Sequence, residues 1–246
     1  LSYRTEDSWT YLISGHVQGG QFEDALDLHQ KMVNDCVLPS SYTLVALLKA
    51  CAGLKDLELG KHVHEEIKKT NFLKELPVGN TLVAMYAKCG SLSEATHVFD
   101  SLPSKNVVAW DAIISGYAQL GQANMVLDLH RKMSAEGVVP DSVTFVVLLT
   151  ACNHAGLVEE AERLFNEMCD TFHLVPKLEH YNCMIDLMGR VGYLDEARDI
   201  SLTMPMLPNL VAWMSLLSHC RMHGSMNLGS ECYENVVFID EYHASS

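Results

Sequence analysis

Apolar positions recur along this chain at three- and four-residue spacing, in short runs separated by glycine and proline. From Val107 to Gln119, Trp110, Ile113, Ile114 and Tyr117 keep helical spacing until Gly121 breaks the chain. From Ala123 to Glu136, Val126, Leu127, Leu129 and Met133 fall on one broad apolar side, and Gly137 and Pro140 close the run. The pattern predicts two helices here, each about 20 Å long for roughly 13 residues. No segment shows sustained strand alternation. A helical pair this short cannot bury its own apolar faces, whereas stacked pairs can. The expected fold is therefore all-α, an α-solenoid with a concave inner face. Trp, Tyr and Met residues on these stripes are expected to be packing residues.

The pattern repeats. Shifted by 101 residues, Trp9 falls on Trp110, Ile13-Ser14-Gly15 on Ile114-Ser115-Gly116, and Leu26-Asp27-Leu28-His29 on Leu127-Asp128-Leu129-His130. Pro39 meets Pro140, and Thr43, Leu47, Leu48, Ala50 and Cys51 meet Thr144, Leu148, Leu149, Ala151 and Cys152. A period of 101 is about three helical-hairpin repeats. The expected units are 6–40, 41–75 and 76–106, then 107–141, 142–177 and 178–209. A seventh begins at Leu210, where Trp213 takes the place of Trp110.

Composition narrows the function. At 246 residues, 48% apolar and 20% charged, the chain has a folded composition, and no run of about 18 apolar residues could span a membrane as a helix. Its formal charge of −14 argues against holding nucleic acid by bulk positive charge alone. None of its eight cysteines forms a Cys-x-x-Cys pair, and most lie within apolar helical patterns. Small buried thiols in a reducing compartment are expected rather than disulfides. The chain opens at Leu1, already within the repeat pattern. A fragment is expected, so a missing targeting peptide carries no meaning.

The stretch VVAWDAIISGYAQLGQANMVLDLHRKMSAEGVVPD resembles a pentatricopeptide repeat of standard (P) type. LPVGNTLVAMYAKCGSLSEATHVFDSLPSKN looks like its short (S) variant, and SYTLVALLKACAGLKDLELGKHVHEEIKKTNFLKE its long (L) variant. The alternation is similar to the PLS class of plant organelles. LEHYNCMIDLMGRVGYLDEARDISLTMPMLPN resembles the last short unit of such arrays, and LVAWMSLLSHCRMHGSMNLGSECYENVVFID the E motif that follows. A tetratricopeptide array has a uniform 34-residue period, which the observed spacing does not match. The resemblance implies a right-handed superhelix of about seven helix-turn-helix units, with 210–243 as the E motif.

It also implies single-stranded RNA binding, about one base per unit, read by two side chains. These are the fifth residue of a unit, on its first helix, and the last, in the loop before the next first helix. The implied pairs are Thr10 with Ser40, Asn80 with Asn106, Asp111 with Asp141, and Asn182 with Asn209. The resemblance reads Asn with Asn as a pyrimidine and Thr as favouring a purine; Asp111 leaves its unit without an assigned base. The alternative for each asparagine is a helix cap or turn residue. Val45 and Val146 hold the fifth place of the long units and cannot discriminate base edges by hydrogen bonding, which makes those units spacers or protein contacts. Val108 fits the base-stacking second place, and Lys88 and Arg190 are the implied phosphate contacts, with solvated surface bases as their alternative.

Chemistry of other kinds is not expected. His64 and Glu66 have a His-x-Glu spacing, but no Cys-x-x-Cys exists to complete a deaminase zinc site. His219 and His223 lack a following Glu and a distant ligand. No phosphate loop or nucleophile elbow is present. The expectation is a non-enzyme without cofactor or membrane partner. It would be a sequence-specific RNA adaptor in organellar C-to-U editing, in mitochondrion or chloroplast. Accessory editing factors or a deaminase domain would engage its long units and E motif. The alternative is a protein-interaction scaffold with little RNA selectivity of its own.

Overall fold

The computed structural model describes residues 5–244, with side chains to residue 240. Among the described residues there are fourteen α-helices and no strand. The chain divides into two compact units, 1–120 and 121–246.

The first unit holds α1 (Glu6–Gln18), α2 (Phe22–Asn34), α3 (Ser41–Leu54), α4 (Leu57–Lys68), α5 (Leu76–Lys88), α6 (Leu92–Ser101) and α7 (Val107–Gln119). The odd-numbered, or first, helices pack in succession, α1 on α3, α3 on α5 and α5 on α7; each even-numbered, or second, helix packs against its own partner. The buried face carries Trp9, Ile13, Leu44, Leu47, Leu82, Met85 and Trp110. Phe99 of α6 meets Trp110 of α7 edge to face, ring centroids 4.7 Å apart, a contact worth about 1 kcal/mol beyond area burial. At Gly116 a Cβ would stand 2.7 Å from that of Ala87 and 2.9 Å from Leu92 Cδ2, so the glycine is what lets α7 approach α5 this closely.

The second unit holds α8 (Ala123–Ala135), α9 (Ser142–Ala155) and α10 (Val158–Asn166), which runs on through a π-helical turn, Glu167–Thr171. Then come α11 (Leu178–Val191), α12 (Leu194–Thr203), α13 (Leu210–His223) and α14 (Met226–Ala244). Here α9, α11 and α13 pack in succession around Phe145, Leu148, Leu149, Ile185, Leu187 and Leu216. The helices expected over 107–119 and 123–136 are α7 and α8, the latter capped by Glu136.

The three tryptophans are core residues. The cysteines are free thiols: Cys51, Cys152, Cys220 and Cys232 are buried, three are half-buried, and Cys36 is exposed. Burial pushes the Cys51 thiol up to about 12, which keeps it protonated and unreactive. No helix among the described residues is long and apolar enough to cross a membrane.

Candidate nucleic-acid interface

The site grows out of helix capping. A first helix leaves its leading N–H groups unpaired, and a Ser, Asn or Asp at the N-cap fills them. Ser40 caps α3 through Thr43 N, Asn106 caps α7 through Ala109 N, and Asn209 caps α13 through Ala212 N. Asp141 caps α9 in a reciprocal box, taking Val143 N and Thr144 N while its own N–H donates to Thr144 Oγ1. Each of these is the last residue of an expected unit. For Asn106 and Asn209 the cap reading is therefore what the structure shows, and it fixes how the rest of the side chain is presented.

Two of the expected pairs are joined by hydrogen bonds. Asn80, buried on α5, donates from Nδ2 to Asn106 Oδ1 at 3.0 Å, and the same oxygen takes Ala109 N at 3.1 Å. Because that oxygen serves the cap, the amide orientation is set: Asn106 keeps Nδ2 as a free donor, while Asn80 Oδ1 is buried without a partner. In the first unit Thr10 Oγ1 lies 3.2 Å from Ser40 Oγ and 2.7 Å from Thr43 Oγ1, with Ser40 and Thr43 3.0 Å apart. Thr43 is the member of this triangle that sequence reasoning missed, although its repetition as Thr144 was in view.

The other pairs differ. Asn182 and Asn209 are not bonded to each other, and Asn182 Oδ1 is buried without a partner. Asp111 lies on α7 and Asp141 at the head of α9, in different compact units. Val108 is 54% exposed, and Tyr42, at the second place of the unit 41–75, is 75% exposed. Val45 and Val146 are half-buried. Lys88 ends α5 exposed to solvent. Arg190, at the matching place on α11, is instead held by Asp186 at 3.0 Å.

Charge is distributed unevenly between the helices. Among the described residues, the first helices carry only Glu6, Asp7, Asp111, Glu179 and Asp186 as acids, against Lys49, Lys88, Arg190 and Arg221. The second helices carry the bulk, with Glu23, Asp24 and Asp27 on α2 and Glu159, Glu160 and Glu162 on α10. The first helices are thus together near neutral in a chain of charge −14.

No group of His, Cys, Asp or Glu able to hold a metal ion exists among the described residues. His64 is spent on Tyr86 Oη at 2.8 Å, and His219 on Asp186 at 2.9 Å.

Models of the PPR repeat family match residues 4–53 and 105–154, and models of the PPR repeat match 80–107, 143–170 and 179–200, together well over half of the chain. The chain belongs to the pentatricopeptide repeat (PPR) family. Among relatives in Arabidopsis thaliana, pentatricopeptide repeat-containing protein At2g33680 is 42% identical over all of this chain, and At1g08070, a chloroplastic member, is 38% identical over 98% of it. A mitochondrial member, At1g06140, is 38% identical over 94%. This PPR chain spans 34% of the length of the first of these, 33% of the second and 42% of the third. Among solved structures, maize PPR10 aligns over 97% of this chain and 39% of its own, with a TM-score of 0.61 at 18% identity. PPR10 in complex with an 18-nucleotide psaJ RNA element aligns over 96% of this chain and 40% of its own, with a TM-score of 0.62 at 17% identity. The likeness establishes the helical-repeat solenoid fold.

Proposed function

We propose that this PPR chain binds single-stranded RNA, reading bases with paired side chains along its first helices. The observation that carries the proposal is the Asn80–Asn106 pair, a buried amide locked to a capping amide whose remaining donor stays free. That donor suits the O2 acceptor shared by cytosine and uracil, so the pair selects pyrimidines. The Thr10–Ser40 pair offers hydroxyls that can donate or accept, and it is held ready by Thr43. Lys88 supplies a phosphate contact at the end of the same helix as Asn80. Val108, exposed at the start of α7, supplies an apolar surface for a base face. RNA-bound PPR10, with the same fold, supports the reading.

The P, L, S order of units read from the sequence, with residues 210–243 read as an E motif, supports a proposed membership of the editing branch of the family. The proposed role is an adaptor that brings C-to-U editing to its transcript in mitochondrion or chloroplast, with the chemistry supplied by a deaminase domain or partner. The chain itself is proposed to be non-catalytic. Relatives named chloroplastic and mitochondrial support the organellar setting.

The test is a titration with short single-stranded RNAs that vary one base at a time, paired with Asn106→Asp. Aspartate keeps the cap but turns the free donor into an acceptor, which matches N3–H of uracil and repels N3 of cytosine. The expected result is a pyrimidine preference in the parent protein and a gain of about tenfold for U over C in the variant, within the range of one hydrogen-bonded base contact. A parent that binds all bases alike, with a variant unchanged, would remove base reading. A protein-scaffold reading then gains from a different feature, an apolar groove of about 900 Å³ lined by Leu202, Met204, Pro205, Leu207 and Phe238.

A further inference from the structure

Arg190 is not simply a surface base. Four donors converge on the Asp186 carboxylate. Ser215 Oγ and His219 Nε2 reach Oδ1 at 2.5 and 2.9 Å, and Asn153 Nδ2 and Arg190 Nη2 reach Oδ2 at 2.7 and 3.0 Å. Arg190 Nε also donates to Asn153 Oδ1 at 3.2 Å, closing a ring across α9, α11 and α13. Asn153 and His219 are buried, at 6% and 7% exposure. Burial opposes ionisation of Asp186, but these donors outweigh it and hold the carboxyl far below the usual carboxylate range.

The matching places of the first period show what is special here. Arg190 corresponds to Lys88, so the cation is common to both short units. Every other member of the ring has a small apolar counterpart: Ala52 for Asn153, Ala84 for Asp186, Ala112 for Ser215 and Gly116 for His219. Bulk is exchanged along with polarity. In the first unit Gly116 makes room for Ala87; in the second, Gly189 makes room for His219, whose ring a Cβ there would meet at 2.5 Å. The ring is thus a complete replacement of one helix joint by another, not a chance ion pair.

We propose that Asp186 is an internal counter-ion that withdraws Arg190 from phosphate contact, so that the second short unit engages a base without gripping the backbone whereas the first does both. The proposal rests on the RNA reading above. A phosphate reaching Arg190 would have to displace a charge-assisted bond and face an ionised carboxylate that other donors keep in place. Lys88, with Ala84 one helical turn before it, meets no such competitor.

The experiment measures single-stranded RNA affinity against salt for the parent chain and for Lys88→Gln, Arg190→Gln, Asp186→Asn and Asp186→Asn with Arg190→Gln. Losing one phosphate contact should weaken binding about fivefold near 0.1 M salt and flatten the salt slope by about 0.7. Lys88→Gln is expected to do this, while Arg190→Gln changes affinity by less than about twofold and leaves the slope in place. Asp186→Asn is expected to tighten binding about fivefold and steepen the slope by about 0.7, a gain that Arg190→Gln then removes. Helicity and melting measured alongside establish that each variant is folded. If Asp186→Asn is not, the Lys88→Gln and Arg190→Gln comparison still decides. Equal losses and equal slope changes for those two would overturn the proposal with the RNA reading intact. A parent chain that binds no RNA at low salt would overturn that reading, and this proposal with it.

Discussion

Cys36 and Lys55 stand where the second period carries Gly137 and Gly156, and all four have positive φ: 57° and 55° against 76° and 69°. The left-handed conformation costs an ordinary residue about 1–2 kcal/mol, partly offset because glycine has more freedom to lose on folding. Both side chains are exposed, so nothing is lost by removing them. Cys36→Gly and Lys55→Gly are each expected to stabilise the first unit by about 0.5–1 kcal/mol and to add when combined. Denaturant melts of the two single variants and the double variant check this. The capping residues behave in the opposite sense. Asn209→Ala strips Ala212 N of its acceptor and should cost about 1 kcal/mol, whereas Asn209→Asp should cost little. Because capping and the proposed base presentation share one side chain, only the aspartate variants separate RNA effects from folding effects.

At the scale of helices, one histidine–glutamate arrangement occurs in both periods. His29 of α2 lies 3.6 Å from Glu66 of α4, and His130 of α8 lies 3.8 Å from Glu167 in the turn after α10. Burial lowers both imidazoles, with the glutamates opposing it in part. Burial also lowers His64. An unfolded histidine takes up its proton near pH 6.5, and these take theirs at lower pH when folded. Between the two values the unfolded chain binds more protons, so stability falls as pH drops through about 6.5. The denaturation midpoint is expected to fall between pH 7.5 and 5.5, a window above ordinary carboxylate titration, and His130→Leu should remove part of that dependence. A midpoint that rises on acidification would contradict imidazoles held neutral by burial or partial burial. The sequence made much of this level legible. Helical spacing located α7 and α8 almost to the residue, and the family resemblance implied the pairing of Thr10 with Ser40 and of Asn80 with Asn106 before any coordinates. The ring around Asp186 was not legible. Its members Asn153, Ser215 and His219 lie 29 to 33 residues from it in the chain. Periodicity tells which face of a helix is buried, but not the register at which polar groups on neighbouring faces meet. Arg190 therefore read as a phosphate contact, or else a solvated surface base, although Asp186 four residues earlier was the visible sign of its partner.

At the scale of the molecule, the question is how a chain of charge −14 can hold a polyanion. The acids are concentrated on the second helices, and a helix with its side chains is about 10–12 Å across. At physiological ionic strength the screening length is about 8 Å. A carboxylate such as Asp27 on α2 therefore acts on RNA lying along the first helices only through more than one screening length of salt solution. In the proposed reading, Asp111, on a first helix, stands next to the RNA and its charge is less screened there than that of Asp27. The two residues should then differ sharply when neutralised. Asp111→Asn is expected to tighten RNA binding several-fold at 0.1 M salt and to keep most of that gain at higher salt, since the charge it removes is close to the ligand. Asp27→Asn is expected to change affinity by less than about twofold, and only at low salt. Titrations of both variants at 0.05 and 0.2 M salt distinguish the cases. Equal gains from both would mean that total charge, and not its placement, limits binding. The near neutrality of the first helices would then have no functional weight, and base reading would have to overcome the full repulsion of the chain.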